Sequence, residues 1–160
     1  MQLRHFFALV TFILIFFQCD SSKAVPLTNA DSEIKLKKAI TVSKYDPTRG
    51  ISELESLSNL PDYTEYKKNY VLGRLYEKCK KKEQTDKALN VYEKLLNKNY
   101  PLKERVLFHY AELNAKNGND KKAFMLFNKL LRDFPYSPTA PQAKYYLAQT
   151  QIRLRLDNAA

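Results

Sequence analysis

Apolar residues recur at intervals of three and four along much of the chain, the spacing that gathers them on one face of an α-helix. Ala88, Val91, Tyr92, Leu95 and Leu96 form one such stripe, and Ala123, Leu126, Phe127, Leu130 and Leu131 form another. Upstream, Ile34, Ala39, Ile40 and Val42 give a weaker one. Asp46-Pro47-Thr48-Arg49-Gly50 then breaks the chain, and Ile51, Leu54, Leu57 and Leu60 resume helical spacing as far as Pro61. These patterns predict an all-α fold with no strands and seven helices, over 31–45, 49–60, 63–80, 85–98, 102–117, 120–133 and 138–156. The last has no partner helix. Arg153, Arg155 and Asp157 suit a solvating cap, whereas Ile152, Leu154 and Leu156 spread apolar surface around it, as in an inner member of a longer array.

The sequence also repeats itself. Lys87-Ala88-Leu89-Asn90-Val91-Tyr92-Glu93-Lys94-Leu95-Leu96 aligns with Lys122-Ala123-Phe124-Met125-Leu126-Phe127-Asn128-Lys129-Leu130-Leu131 at a shift of 35, and Pro101 and Pro135 follow at a shift of 34. A helix-turn-helix unit of this period resembles the tetratricopeptide repeat (TPR). In the second unit Ala111, Ala123, Phe127 and Pro135 match the family's small, small, aromatic and proline positions, and Gly118 its turn glycine. The first unit offers Leu72-Gly73, Tyr76, Ala88 and Tyr92, with three extra residues in the loop from Lys80 to Thr85. The resemblance spans roughly residues 63–156 and implies an antiparallel helix-pair superhelix. Gly73 and Ala111 would let helix A of each pair approach helix B, and Ala88 and Ala123 would make the reciprocal gap. Tyr92 and Phe127 would fill the space between repeats, and the prolines, lacking an amide hydrogen, would end helix B.

The run from Phe134 to Ala148, containing Tyr136-Ser137-Pro138-Thr139-Ala140, is more particular. It resembles the junction found in BamD-type outer-membrane assembly lipoproteins and Tol-Pal-associated periplasmic TPR proteins, and also in the helical arm of soluble lytic transglycosylases. Ser137 is suited to cap exposed amides there, and Pro138 to the first turn. The resemblance implies a non-enzymatic adaptor or scaffold at the bacterial cell envelope. The alternative it implies is the noncatalytic arm of a cell-wall enzyme.

The N-terminus supports export. Phe6 to Phe17 is an uncharged apolar run of twelve residues behind Arg4 and His5, too short to span a bilayer comfortably and suited to a signal-peptide core. Phe16-Phe17-Gln18-Cys19 then resembles a relaxed lipobox of the kind seen in spirochaete lipoproteins, which would make Cys19 the lipidation site and the membrane anchor. Cleavage after Ser22-Lys23-Ala24 and a retained anchor helix are the competing readings. The division that follows is signal peptide 1–18, flexible tether 19–30, a degenerate helix pair over 31–62, and repeats with a terminal helix over 63–160. The outer membrane is the favoured destination, although Asp20 resembles an inner-membrane retention signal.

Composition narrows the chemistry. Three glycines among 160 residues are too few for a turn-rich β-sandwich or a dinucleotide-binding loop. Two cysteines and two histidines, unclustered in sequence, make no metal or disulfide framework, and no cofactor is implied. The net charge of +10 in an exported chain points to acidic protein segments or anionic envelope polymers and lipids rather than to nucleic acid. Catalysis finds no support: His109 has no Ser or Cys nucleophile beside it in sequence, Glu53 and Glu55 are ordinary helix residues, and Cys79 reads as a structural thiol.

What remains is a partner-binding groove. Projecting the family's groove positions gives Lys67, Tyr70, Arg74, Glu77 and Lys78 in the first unit. The second gives Arg105, Phe108, Glu112, Ala115 and Lys116, and the third Gln142, Tyr145, Gln149, Ile152 and Arg153. An aromatic ladder of Tyr70, Phe108 and Tyr145 beside a basic rail of Lys78, Lys116 and Arg153 would suit an extended acidic segment. On this reading Phe108→Ala leaves folding intact, and Ile152 and Leu156 offer a surface for homo-oligomerisation.

Overall fold

The computed structural model describes residues 28–79 and 81–157, so the expected signal peptide, Cys19 and nearly all of the expected tether lie outside the described residues. Within them the chain is all helical, with seven helices and no strand: α1 (Asn29–Tyr45), α2 (Pro47–Ser56), α3 (Asp62–Lys78), α4 (Lys82–Leu96), α5 (Lys103–Lys116), α6 (Asp120–Asp133) and α7 (Ala140–Asp157). Among the described residues no helix is long and apolar enough to cross a membrane.

Local chemistry sets the boundaries. Thr28 caps α1 by accepting the Asp31 amide. Asp46 accepts the Arg49 amide at 3.0 Å and Pro47 occupies the first turn, so the segment that reads as a break is the start of α2. That helix ends at Ser56, short of the expected residue 60, and Asn59 follows in the left-handed region at φ 55°. Gly118 turns the chain between α5 and α6 at φ 76°, with open space where a Cβ would stand, so it is backbone conformation that calls for glycine here. Before α7, the Ser137 hydroxyl accepts the Thr139 amide in a local turn, and the helix begins at Ala140 rather than at Pro138.

Each helix packs on the next, and the odd-numbered helices also meet in a row, α1 on α3 and α5 on α7. Ion pairs and hydrogen bonds tie neighbours together. Glu33 of α1 accepts from Lys67 and Thr64 of α3, the Lys68 ammonium reaches the Leu57 carbonyl, and the Tyr110 hydroxyl reaches Glu93 of α4.

The small and aromatic positions pack as their sequence pattern predicts. Ala88, Ala111, Ala123, Tyr92 and Phe127 are fully buried. A Cβ added to Gly73 would lie 2.6 Å from Tyr92 Cε1, so only glycine lets α3 approach α4 this closely. Gly50, which the sequence offers merely as part of a break, does the same for α1 and α2: its Cβ would stand 2.3 Å from that of Ser43.

Helix α5 belongs to two cores. Val106, Tyr110 and Leu113 join Tyr66, Leu72, Tyr76 and Tyr92 on one side, while Leu107, Phe108, Ala111 and Ala115 join Phe127, Leu130 and Ala143 on the other. With two faces committed to packing, the stripe Arg105, His109, Glu112 and Lys116 is left over, exposed at its ends Arg105 and Lys116, half-buried at His109 and buried at Glu112.

Candidate functional site

That remaining stripe meets its counterpart on α3. Arg74 Nη1 donates to Glu77 Oε2 at 2.6 Å and to His109 Nδ1 at 2.7 Å, which joins α3 to α5. Lys116 pairs with Glu112 at 2.8 Å and approaches Glu77 at 3.9 Å. From the flanks, the Tyr92 hydroxyl donates to Glu77 at 3.1 Å, and the Tyr146 hydroxyl of α7 donates to Glu112 at 2.7 Å. Two carboxylates, each about a tenth exposed, are thereby matched by two cations and two phenols. The charge cancels where water is scarce, the condition under which buried ionised groups are tolerated.

A guanidinium only donates, so the contact with Arg74 fixes Nδ1 of His109 as an acceptor, with its proton on Nε2. The His109 contact, the Lys116 ammonium and the Tyr146 hydroxyl hold the Glu112 carboxyl down at about 2, against the effect of its burial. One nitrogen cannot serve both neighbours. Nδ1 is 3.6 Å from Glu112 and 2.7 Å from Arg74, so Arg74 is the nearer of the two. Burial, reinforced by Glu112, pushes the Tyr146 phenol up to about 12, so it remains a hydrogen-bond donor.

Glu77, His109 and Glu112 also present three ligand atoms within 4.8 Å of one another, a set able to hold a divalent cation. The Arg74 guanidinium already occupies the space between Glu77 and His109. A metal would have to displace it, and the same contact occupies the His109 lone pair that a general base would use.

Beside this cluster opens a cleft of about 540 Å³, lined by Arg74, Glu77, Lys78, Thr85, Leu113, Lys116 and Asn117. Three of the basic residues projected from sequence therefore share one concavity. Lys78 is exposed and makes no ion pair among the described residues; Arg105, exposed and likewise without one, lies near Tyr70, three turns before Lys116 on α5 and outside the lining of the cleft. Tyr70 is half-buried beside His109, and Lys67 is engaged with Glu33 while lying over the Tyr63 ring.

Other projected residues fall elsewhere. Phe108 is only 3% exposed and packs against Phe127 and Tyr146, with ring centroids 6.2 Å away in each case. One residue is a 100° turn of a helix, and Phe108 lies one residue off the outward stripe, on the face turned to α6. There is thus no exposed ladder of three aromatics. Glu112 and Ala115 are buried, the first as the centre of the ion cluster. Arg153 donates through Nε and Nη2 to Asp120 at 2.8 and 2.6 Å, pinning α7 to the start of α6 rather than extending a basic rail. Tyr145 is exposed and accepts from Gln149, and Gln142 is exposed at the start of α7. Tyr146, Thr85 and Asn117 complete the site without having been singled out, as does His109, which the sequence reading raised only to set aside as a catalytic residue. For His109 the signal was present: it continues the spacing 105, 109, 112, 116.

No family model matches this chain, and neither a curated protein nor a solved structure matches it. Over the described residues the fold is all-helical, with seven helices in packed adjacent pairs, an arrangement compatible with a helical repeat.

Proposed function

We propose that the chain is a non-enzymatic TPR-type adaptor, exported, anchored through a lipid on Cys19 and working at the bacterial cell envelope, with the outer membrane as its favoured address. Its task is to hold an acidic, extended segment of a partner protein against the face built from α3 and α5. The observation that carries this reading is the meeting of Arg74, Lys78 and Lys116 in one cleft of about 540 Å³. Arg74 and Lys116 are balanced by Glu77 and Glu112, so the attraction for a ligand comes chiefly from Lys78 and, further back on α5, Arg105. Such solvated charges steer and orient a partner more than they hold it, and polar contacts to Thr85 and Asn117 would add specificity.

Fluorescence anisotropy with a labelled Glu-rich peptide tests this. Lys78→Glu should weaken binding several-fold at low salt, and the difference should shrink as salt screens it. A peptide that binds Lys78→Glu and Arg105→Glu proteins as well as the wild type would refute the assignment.

A further inference from the structure

Three of the odd-numbered helices share a short pattern, an aromatic followed three residues later by a small residue: Tyr70 and Gly73 on α3, Phe108 and Ala111 on α5, Tyr145 and Ala148 on α7. The two even-numbered helices that follow α3 and α5 carry its complement, a small residue followed four later by an aromatic: Ala88 and Tyr92 on α4, Ala123 and Phe127 on α6. In both completed pairs the two patterns interlock. Gly73 lies against the Tyr92 ring, and Phe108 packs edge-on to Phe127.

On α7 the pattern is present and its complement is not, among the described residues. Phe108, Ala111 and Ala115 of α5 are 3%, 0% and 8% exposed; their equivalents on α7, 37 residues on, are Tyr145 and Ile152, each 60% exposed, and Ala148, also exposed. The opposite side of α7 is already packed, with Ala143 and Thr150 fully buried and Tyr146 stacked on Phe127 at 5.6 Å. A helix with apolar side chains on both faces is built to be covered on both. The exposed charges nearest the stripe, Lys144 and Arg155, are basic and make no ion pair among the described residues.

We infer that the Tyr145–Ala148–Ile152 face of α7 is a seat for one amphipathic helix of a partner protein, carrying a small residue and, four positions later, an aromatic that packs over Ala148, with acidic residues flanking its apolar face. The geometry is that of α6 on α5, continued by one step. The acidic residues follow from Lys144 and Arg155, which share one edge of the stripe, and the same two cations oppose the pairing of α7 with a second copy of itself. The site is independent of the cleft between α3 and α5.

The probe is a labelled synthetic peptide with the sequence of residues 119–134, together with a version carrying Lys121→Glu and Lys129→Glu. Titrated against the full mature chain, the acidic version should bind at least several-fold more tightly than the parent, and its Phe127→Ala form should lose binding by tenfold or more. Ala148→Glu in the protein should abolish binding while leaving the melting temperature unchanged; Ile152→Ser serves as a second, gentler variant. No binding up to millimolar peptide would overturn the inference, as would binding that survives both protein variants, which would place the peptide elsewhere. A dimer of the mature chain in light scattering that Ala148→Glu dissolves would also overturn it, assigning the seat to a second copy.

Discussion

Phe108→Ala separates the packed face of α5 from its outward face. The ring is 3% exposed, with Phe127, Tyr146 and His109 around it at centroid distances of 5.4 to 6.2 Å. Removing a core phenylalanine costs about 3–5 kcal/mol, the upper end applying when neighbours cannot close the cavity. Here the neighbours are themselves anchored: Tyr146 is hydrogen-bonded to Glu112, and Phe127 is fully buried. For a chain of this size each kcal/mol lowers the melting temperature by about 2–4 °C, so a fall of roughly 10 °C is expected in a thermal melt followed by circular dichroism at 222 nm. Arg105→Ala, three residues earlier but on the outward stripe, should stay within about 0.5 kcal/mol of the wild type. A Phe108→Ala protein that melts within about 2 °C of wild type would refute the placement of this ring in the core, and with it the division of α5 into two packed faces and one open one.

Gly73→Ala sets a gain in helix propensity of about 1 kcal/mol against overpacking of about 1–3 kcal/mol on the buried Tyr92 ring. A net loss is expected in denaturant unfolding, and Tyr92→Leu in the same chain should relieve it. Because the Glu112 carboxyl lies at about 2 when folded, below its ordinary 4.5, it contributes stability above pH 4.5 that is lost as pH falls from about 4.5 towards 2. The amount, reduced for partial solvent screening, is about 1–3 kcal/mol; Glu112→Gln should flatten that part of a stability-against-pH curve measured by urea unfolding. If Cys19 is the lipid attachment site, Cys19→Ser should lose metabolic fatty-acid label and partition out of the detergent phase; a diacyl anchor holds firmly where a single chain does not.

The positions at which local chemistry and packing agree were legible in the sequence. The seven helices lie within a few residues of the spans their periodicity predicts, and Gly73, Ala88, Tyr92, Ala111, Ala123 and Phe127 pack as small and aromatic positions should. Boundaries were missed where a turn residue has two uses: Asp46-Pro47 reads as a break and acts as a cap, and Ser137 closes a turn three residues before α7 begins. The site was half legible. Arg74, Lys78 and Lys116 follow from repeat position alone, but which face of α5 is outward depends on both of its neighbours, and a one-residue error carried Phe108 to the wrong side. The ion cluster joins residues 34 and 35 positions apart, Glu112 to Tyr146 and Arg74 to His109, and no local pattern announces such pairs. Arg153 failed for the same reason, since its partner Asp120 lies 33 residues earlier.

Whether the α3–α5 face is where a partner lies can be asked by position. A photo-crosslinking residue placed at Lys78 or Arg105 reports on that face; one at Met125, 63% exposed on α6, reports on the row of even-numbered helices. With the full chain in extracts of the cells that express it, crosslinks from Lys78 and Arg105 should converge on one acidic partner segment, fade with rising salt, and be absent from Met125. Equal capture from all three positions, or capture from Met125 alone, would contradict the binding face proposed here.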